Sequence, residues 1–152
     1  GDKRGMVTEE GAAAVDEAIA FLEAQRPLPA LNDSGLLARA ARGHMLEQAR
    51  TGAVGHLSRD GRNAGARVRD AGGDRYVGEA IAYGRSAPAI VVRRLIVDDG
   101  VRDRGHRTLV FSPAFRFAGV GCAEHPRYES ACTINYAGTK DGRSPPVIYA
   151  SR

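Results

Sequence analysis

The stretch Tyr76-Val77-Gly78-Glu79-Ala80-Ile81-Ala82-Tyr83-Gly84 places one carboxylate inside an apolar run that is flanked by glycines. The neighbours of Glu79 are apolar enough to be covered by the core, so its side chain is expected in a poorly solvated setting. A buried acid needs hydrogen-bonding or charged partners. Two interpretations follow: a structural carboxylate bonded to backbone amides at a turn, or an acid or base held in the wall of a cleft.

A second informative stretch is Asp98-Asp99-Gly100-Val101-Arg102-Asp103-Arg104-Gly105-His106-Arg107, which combines acids and an imidazole in a turn-rich segment. A helix opened by Ser86 and closed by Gly100 is predicted to lead into it, and the inward side chains of that helix are predicted to be Val91, Val92, Leu95 and Ile96. Asp98 extends this stripe into the last turn, where the helix dipole disfavours an acid. Residues that break a local structural rule in this way are often found at functional sites. An ion pair of the aspartate with Arg102 or Arg104 explains the unfavourable position of Asp98 equally well.

The histidines divide into candidates for a site and candidates for other roles. His56 is predicted to lie in a glycine-containing loop, where a side chain is free to point at a cleft. Asp103 is predicted to cap a short helix with His106 in its first turn, where the dipole favours the neutral imidazole that a metal ligand or general base requires. His44 lies on an apolar helical stripe and is interpreted as a core residue with one hydrogen bond, and His125 as an exposed ring at a loop tip.

Helical periodicity predicts further helices before the central stretch. The first is capped by Thr8 and ends near Arg26, with an inward stripe of Val15, Ala18, Ile19 and Leu22. The second starts after the capping residues 32–34 and ends at Gly52, with an inward stripe of Leu36, Leu37, Ala40, Ala41, His44 and Met45. A short third helix is capped by Asn63.

The C-terminal third alternates in the manner of a β-hairpin, with strands predicted over 115–123 and 131–137. Cys122 and Cys132 fall at facing positions, which permits a disulfide, and a pair of reduced core thiols is the alternative. Residues 147–149 predict an edge strand or a docked tail.

Composition narrows the class of protein. The chain has 152 residues, which predicts a single domain over 1–152. Its net charge of +4 rests almost entirely on arginine, and the arginines are interleaved with acids, so we expect no nucleic-acid partner. A solvated face or a contact with anionic cell-envelope polymers is expected instead. No apolar run approaches the ~20 residues of a membrane-spanning helix, and no leader precedes Gly1, so any export signal is expected to have been removed.

Several motifs together resemble the CAP superfamily. They are residues 78–84, Gly105-His106-Arg107, Pro113, Phe115 and Gly119-Val120-Gly121. That superfamily comprises cysteine-rich secretory proteins, insect venom antigen 5 and pathogenesis-related proteins, and the similarity covers roughly residues 8–138. The resemblance implies an α+β fold, a three-layer α-β-α sandwich with a central antiparallel sheet. The absence of the additional cysteines of animal members indicates a bacterial branch.

In that superfamily an open cleft holds two histidines and two acids, and several members hold a zinc-like ion on the histidine pair. The matching positions are His56, Glu79, Asp98 and His106, with Asp99 competing with Asp98 as the second acid. The resemblance therefore implies His56 and His106 as ligands of zinc or another divalent metal, beside Glu79 and Asp98.

Three functions remain open. The leading one is an exported module, secreted or held at the cell envelope, whose metal-capable cleft binds a lipid, glycan or protein. The second is a metal-assisted hydrolase in which Glu79 or Asp98 is the general base. The third is a structural domain with an inactive inherited cleft.

Overall fold

The computed structural model describes residues 8–85 and 87–144, and in these ranges the backbone forms two compact units. The helical unit contains residues 8–28 and 87–111, and the sheet unit contains residues 29–85 and 112–144. The predicted cap at Ser86 and the predicted edge strand at 147–149 lie outside the described residues. Organisation as a single domain stays a prediction.

The described residues form helices and strands in alternating groups along the chain. The helices are α1 (Ala12–Ala24), α2 (Gly35–Thr51), α3 (Ala64–Asp70), α4 (Pro88–Val97) and α5 (Gly105–Val110). The strands are β1 (Asn32–Asp33), β2 (Val77–Tyr83), β3 (Phe117–His125) and β4 (Glu129–Ala137). They form one four-stranded sheet in the order β1-β3-β4-β2.

The sheet is antiparallel apart from its short edge strand. β4 pairs antiparallel with both β2 and β3, whereas β1 pairs parallel with β3. Helix α2 packs on β3 and β4, and α3 packs on β2. The predicted α+β class is thus confirmed: helices cover a largely antiparallel sheet, consistent with the α-β-α sandwich.

Helix α2 follows its predicted signals closely. The Ser34 Oγ accepts a hydrogen bond from the Leu37 N–H at 3.2 Å, which satisfies an otherwise unpaired amide of the first turn. At the other end Gly52 takes the left-handed conformation with φ 68°, which glycine adopts at little cost. The side chains buried between α2, α3 and the sheet include Leu37, Ala40, Val68 and Ala137.

Two glycines allow α2 to lie directly on β3. A Cβ at Gly119 would sit 2.2 Å from the backbone nitrogen of Ala38, and one at Gly121 would sit 2.1 Å from that of Arg42. These distances leave no room for any side chain. The Gly119-Val120-Gly121 motif therefore serves the packing of helix against sheet.

Both strands of the hairpin extend two residues closer to the turn than predicted, and a disulfide links them. Cys122 and Cys132 pair directly across β3 and β4 and are bonded, with an S–S distance of 2.06 Å. The prediction that His125 is an exposed ring is wrong, because β3 continues to this residue and buries its side chain. Its Nε2–H donates to the Ala53 carbonyl at 2.9 Å, and its Nδ1 accepts from the Arg127 N–H at 3.2 Å.

Helix α1 departs from prediction at its start and on its buried face. It begins after Gly11 and has no side-chain cap, so the prediction that Thr8 caps it is wrong. The Asp99 carboxylate instead accepts the backbone N–H groups of residues 9 and 10, just before the helix. Its buried residues are Ala14 and Ala18, while the predicted inward residues Ile19 and Leu22 are 48% and 43% exposed. The buried face is thus the small alanine face, which clusters with Val97 of α4.

The side chains that helix α4 buries differ from the predicted set. Leu95 and Val97 are buried, whereas Val92 is 44% exposed. The helix ends at Asp98, two residues before the glycine expected to close it, because Asp98 itself adopts the left-handed conformation with φ 53°.

Candidate functional site

In the sheet unit, His56 and Glu79 form a hydrogen-bonded pair. The His56 Nδ1 lies 2.9 Å from the Glu79 Oε1. Glu79 is on β2, and its side chain is only 4% exposed, whereas the His56 side chain, in the loop after α2, is 56% exposed. A buried carboxylate accepting the Nδ1–H fixes the tautomer of the ring and leaves the Nε2 lone pair on the exposed side.

Arg67 is the second partner of Glu79. Its Nη2 donates to the Glu79 Oε2 at 2.5 Å, and its Nη1 donates to the carbonyls of His56 and Arg62 at 3.0 and 2.9 Å. The guanidinium therefore joins the carboxylate to the loop that carries His56. It is 6% exposed, so the Arg67–Glu79 ion pair is buried.

The two titratable groups of this pair shift in opposite directions. Burial pushes the pKa of Glu79 up, but the hydrogen bond from His56 and the charge of Arg67 outweigh it, so the pKa stays below its ordinary value. The hydrogen bond to Glu79 raises the pKa of His56, against the smaller opposing effects of burial and of Arg67. The pair therefore combines a firmly ionised acid with an imidazole that takes up protons easily.

In the helical unit, Asp98 and His106 form a second pair of the same kind. The His106 Nδ1 lies 2.7 Å from the Asp98 Oδ1. The Asp98 Oδ2 accepts the backbone N–H groups of His106 and Arg107 at 2.8 and 3.3 Å. The carboxylate is 3% exposed and the His106 side chain 29% exposed.

The position of Asp98 resolves the inconsistency seen in the sequence. Because the chain leaves α4 at this residue, its carboxylate faces the start of α5, where the dipole favours an acid. The predicted cap, Asp103, only accepts the Gly105 N–H at 3.2 Å. Asp99 faces α1 instead, so the structure places Asp98 and not Asp99 against His106.

The ion pairs predicted for Arg104 are replaced by others. Arg104 pairs with Glu10 and Glu17, and it reaches Asp98 only through the backbone carbonyl, at 2.8 Å. The hydrogen bond from Arg104 and that from the Gly100 amide lower the pKa of Glu10 to about 2. The local charge is thus balanced without the side chain of Asp98.

Arg107 holds the second pair in place. It donates to the carbonyls of Ile96 and Val97 at the end of α4, and its two Nη groups contact the carboxylate of Glu17 on α1 at 2.5 and 2.8 Å. Its guanidinium also lies 5.0 Å from the ring centre of Phe21. The last residue of the Gly105-His106-Arg107 motif therefore connects α1, α4 and α5.

These motifs belong to a known family. The family model described as "Cysteine-rich secretory protein family" matches residues 7–136. The chain belongs to the cysteine-rich secretory protein family. Residues of both units lie within the match.

Solved structures agree with this family fold. An extracellular protein containing an SCP domain from Bacillus anthracis str. Ames has a TM-score of 0.59 and 21% identity, over 88% of this chain and 44% of that one. An outer surface protein from Borrelia burgdorferi has a TM-score of 0.59 and 15% identity, over 88% of this chain and 96% of that one. The chain spans less than half of the Bacillus protein. No curated protein matches significantly.

The four residues predicted for the family site occur as two pairs. The structure joins His56 to Glu79 in the sheet unit and His106 to Asp98 in the helical unit. The convergence of the two pairs on one site stays a prediction. Among residues 8–85 and 87–144, no group of three or more His, Cys, Asp or Glu side chains is arranged to hold a metal.

The residues fit a metal only through the two imidazoles. Each Nδ1 is engaged by a buried carboxylate, and for neither Nε2 does the described part of the chain supply a hydrogen-bond partner. His56 and His106 would hold the ion, with Glu79 and Asp98 orienting them. His44 is confirmed as a core residue: it is 1% exposed, and its Nε2 lies 3.0 Å from the Gly55 carbonyl.

Arg67 was not identified from the sequence as a site residue. It was grouped with the solvated arginines, yet it is buried against Glu79. A signal was present, because Arg67 lies three residues after Ala64 and next to Val68, on the inward face of α3.

Proposed function

We propose that the chain is an exported module that binds a ligand of the cell envelope or extracellular space at a site formed by His56, Glu79, Asp98 and His106. The observation that carries the proposal is the repeated arrangement of a buried carboxylate on an imidazole Nδ1, with an Nε2 that has no hydrogen-bond partner among residues 8–85 and 87–144. The Bacillus protein is described as extracellular and the Borrelia protein as an outer surface protein, and both descriptions support an export context.

The proposed site binds a divalent metal, with zinc suited to its two neutral nitrogens. A bound cation would supply a Lewis acid to which an oxygen atom of a lipid, glycan or protein can bind. This chain's own contribution is to fix both rings: Glu79 and Asp98 hold each Nδ1–H, and Arg67 keeps the Glu79 carboxylate ionised.

The alternative of a metal-assisted hydrolase finds less support. A general base works best with a pKa near the operating pH. The pKa of Glu79 lies below its ordinary value, and both of its oxygens are already engaged. Asp98 accepts three hydrogen bonds within its own unit. Neither carboxylate is available to take a proton from water, so binding is proposed without turnover.

No helix among the described residues has the length and apolarity to cross a membrane.

The test is a ligand screen in which metal and histidines are varied together. The wild-type protein is screened against lipid, glycan and peptide arrays with zinc and with a chelator, beside His56→Ala/His106→Ala. We expect zinc-dependent binding that the double variant loses while its circular dichroism is unchanged. The matched control is His125→Gln, since both nitrogens of His125 are already hydrogen-bonded. Ligand binding that survives the double substitution would refute the proposed site.

A further inference from the structure

In the sheet unit, the loop that carries His56 is held at Gly55 by a closed triangle of hydrogen bonds. The Gly55 N–H donates to the Tyr83 hydroxyl oxygen at 2.7 Å. The Tyr83 hydroxyl donates to the Gln48 Oε1 at 3.0 Å, and the Gln48 Nε2 donates to the Gly55 carbonyl at 2.7 Å. Each of the three residues therefore gives one hydrogen bond and accepts one within the triangle.

The chemistry of the three groups fixes the direction of every bond in the triangle. A backbone carbonyl can only accept, so the amide nitrogen of Gln48 faces Gly55 and the amide oxygen faces Tyr83. That oxygen also only accepts, so it takes the phenol proton, and the phenol oxygen is left to accept the Gly55 N–H. Gln48 is 1% exposed, and a buried amide needs partners for its polar atoms. Reversing the Gln48 amide would break two hydrogen bonds at once.

The triangle fixes one of the two peptide planes that flank the Cα atom of His56. The Gly55 carbonyl and the His56 N–H belong to the same planar peptide group, and the Gln48 amide binds its oxygen. The His56 carbonyl belongs to the next peptide group and accepts a hydrogen bond from the Arg67 Nη1 at 3.0 Å. Two fixed planes set the φ and ψ angles of the residue between them. The direction of the His56 Cα–Cβ bond is therefore determined by its backbone partners.

Strand β2 supplies both the partner of the His56 ring and a partner of its loop. Tyr83 follows Glu79 by four residues on this strand, so the two side chains point to the same face of the sheet. The Tyr83 ring packs against that of Tyr128, with the ring centres 5.1 Å apart, and this contact helps to place its hydroxyl. Gly55 has a φ of 96°, a conformation that glycine adopts readily.

We propose that Gln48 and Tyr83 are positioning residues for His56. They hold its backbone so that the Nδ1–H reaches Glu79 and the Nε2 stays on the exposed side. The His56 side chain is 56% exposed, and a loop that is fixed in advance lowers the entropy lost when the ring binds a ligand. The inference rests on the proposed function, because His56 belongs to the proposed site, but its first two tests need neither metal nor ligand.

The first test reads the position of the proton on the His56 ring by ¹H–¹⁵N NMR of metal-free protein, at a pH above the titration of this histidine. In the wild type the proton is expected on Nδ1, because Glu79 accepts it. Tyr83→Phe and Gln48→Leu should each return part of the population to the Nε2–H form, because a released loop lets the ring leave the carboxylate.

The matched control is Tyr128→Phe, which also removes a phenol hydroxyl. That hydroxyl has no hydrogen-bond partner in the part of the chain that the structure describes. The control should leave the proton of His56 on Nδ1. An unchanged proton position in both Tyr83→Phe and Gln48→Leu would overturn the proposal.

The second test separates release of the loop from a general loss of stability by amide hydrogen exchange. In Tyr83→Phe the Gly55 N–H loses its acceptor and should exchange about tenfold faster. The N–H of Ala41, in the middle of α2, should be accelerated much less. Equal acceleration of both amides would show that the variant lost only global stability, and this result contradicts a positioning role.

The third test measures zinc affinity by calorimetry and connects the triangle to the proposed site. Tyr83→Phe and Gln48→Leu should each weaken zinc binding about tenfold, as loss of a group that orients a metal ligand does. Tyr128→Phe should bind zinc as the wild type does. Unchanged zinc affinity in both triangle variants would overturn the proposal. If the wild type itself binds no zinc, the proposed function fails, and the proton position and the exchange rates still decide the positioning role.

Discussion

At Glu79, burial and charge act in opposite directions on one carboxylate. The side chain is 4% exposed, a setting that favours the protonated acid. Its two oxygens are occupied by His56 and Arg67, and these partners keep it ionised. Arg67 also binds the carbonyls of the His56 loop, so the single carboxylate positions the ring and the loop together.

Replacing Glu79 by Gln should therefore destabilise the protein strongly. The substitution leaves the buried Arg67 without its counter-charge, and we expect a loss of about 3 kcal/mol in the free energy of unfolding. Urea unfolding followed by circular dichroism measures it. Glu124→Gln, an exposed change on β3, is the matched control and should cost less than about 0.5 kcal/mol. Equal effects of the two substitutions would show that the buried ion pair contributes nothing.

The raised pKa of His56 predicts a pH dependence of stability with a definite sign. The folded state binds the proton more tightly than the unfolded state, whose pKa is near 6.5. Its stabilisation is therefore complete below pH about 6.5 and is lost as the pH rises through the higher folded value. The wild type should be more stable than His56→Gln at pH 6, and this difference should shrink by pH 9. A difference that grows with pH contradicts the assignment. The opposite shift of His44 cancels in the comparison, since both proteins contain it.

At the residue scale the sequence identified candidate residues and missed the partners that hold them. Glu79 and Asp98 were found because an acid in an apolar pattern is conspicuous. Arg67 was missed because arginine is expected at the surface, and its burial depends on the carboxylate of a strand that is distant in sequence. The predicted pairing of Arg104 with a neighbouring aspartate was wrong for the same reason, because its observed partner Glu10 is 94 residues away in the sequence.

At the scale of elements, the contact between α2 and β3 depends on the absence of two side chains. Gly119→Ala or Gly121→Ala would place a methyl group within van der Waals overlap of the α2 backbone. We expect each to cost about 3 kcal/mol or more, because backbone cannot move aside as a flexible side chain can. Gly43→Ala, in open space on α2, should instead stabilise by about 0.8 kcal/mol through helix propensity. Thermal unfolding of the variants measures this, and a tolerated Gly121→Ala would refute the packing argument.

The disulfide between β3 and β4 predicts the thiol content and part of the stability. Denatured, unreduced protein should contain no free thiol. Cys122→Ser/Cys132→Ser should lose about 2 kcal/mol, because the ten-residue separation no longer closes a loop in the unfolded chain. Ellman titration and urea unfolding provide the two readings, and two free thiols in non-reduced material would exclude the bond.

The elements themselves followed from the sequence to different degrees. Ser34 and Gly52 fixed both ends of α2, because a cap and a left-handed glycine act locally. The buried face of α1 did not follow from apolar periodicity, since its large residues Ile19 and Leu22 are exposed and its alanines are buried. The end of α4 was misplaced because the left-handed turn at Asp98 is stabilised by groups in α5.

At the scale of the whole molecule, the family match spans both compact units, and each unit supplies one imidazole–carboxylate pair. We propose that the two pairs act on one divalent ion. Both rings must be unprotonated to bind it, and the raised pKa of His56 makes proton competition begin above the ordinary value of about 6.5. Zinc affinity should therefore be clearly higher at pH 8 than at pH 6.

The most direct test of this shared site is zinc calorimetry on the wild type, His56→Ala, His106→Ala and the double variant at pH 8. A shared ion predicts one zinc per chain in the wild type, and losses in the single variants that do not add in the double variant. His125→Gln should bind as the wild type does. Two zinc ions per chain that the single variants remove one at a time, or zinc binding unchanged in the double variant, would contradict the account.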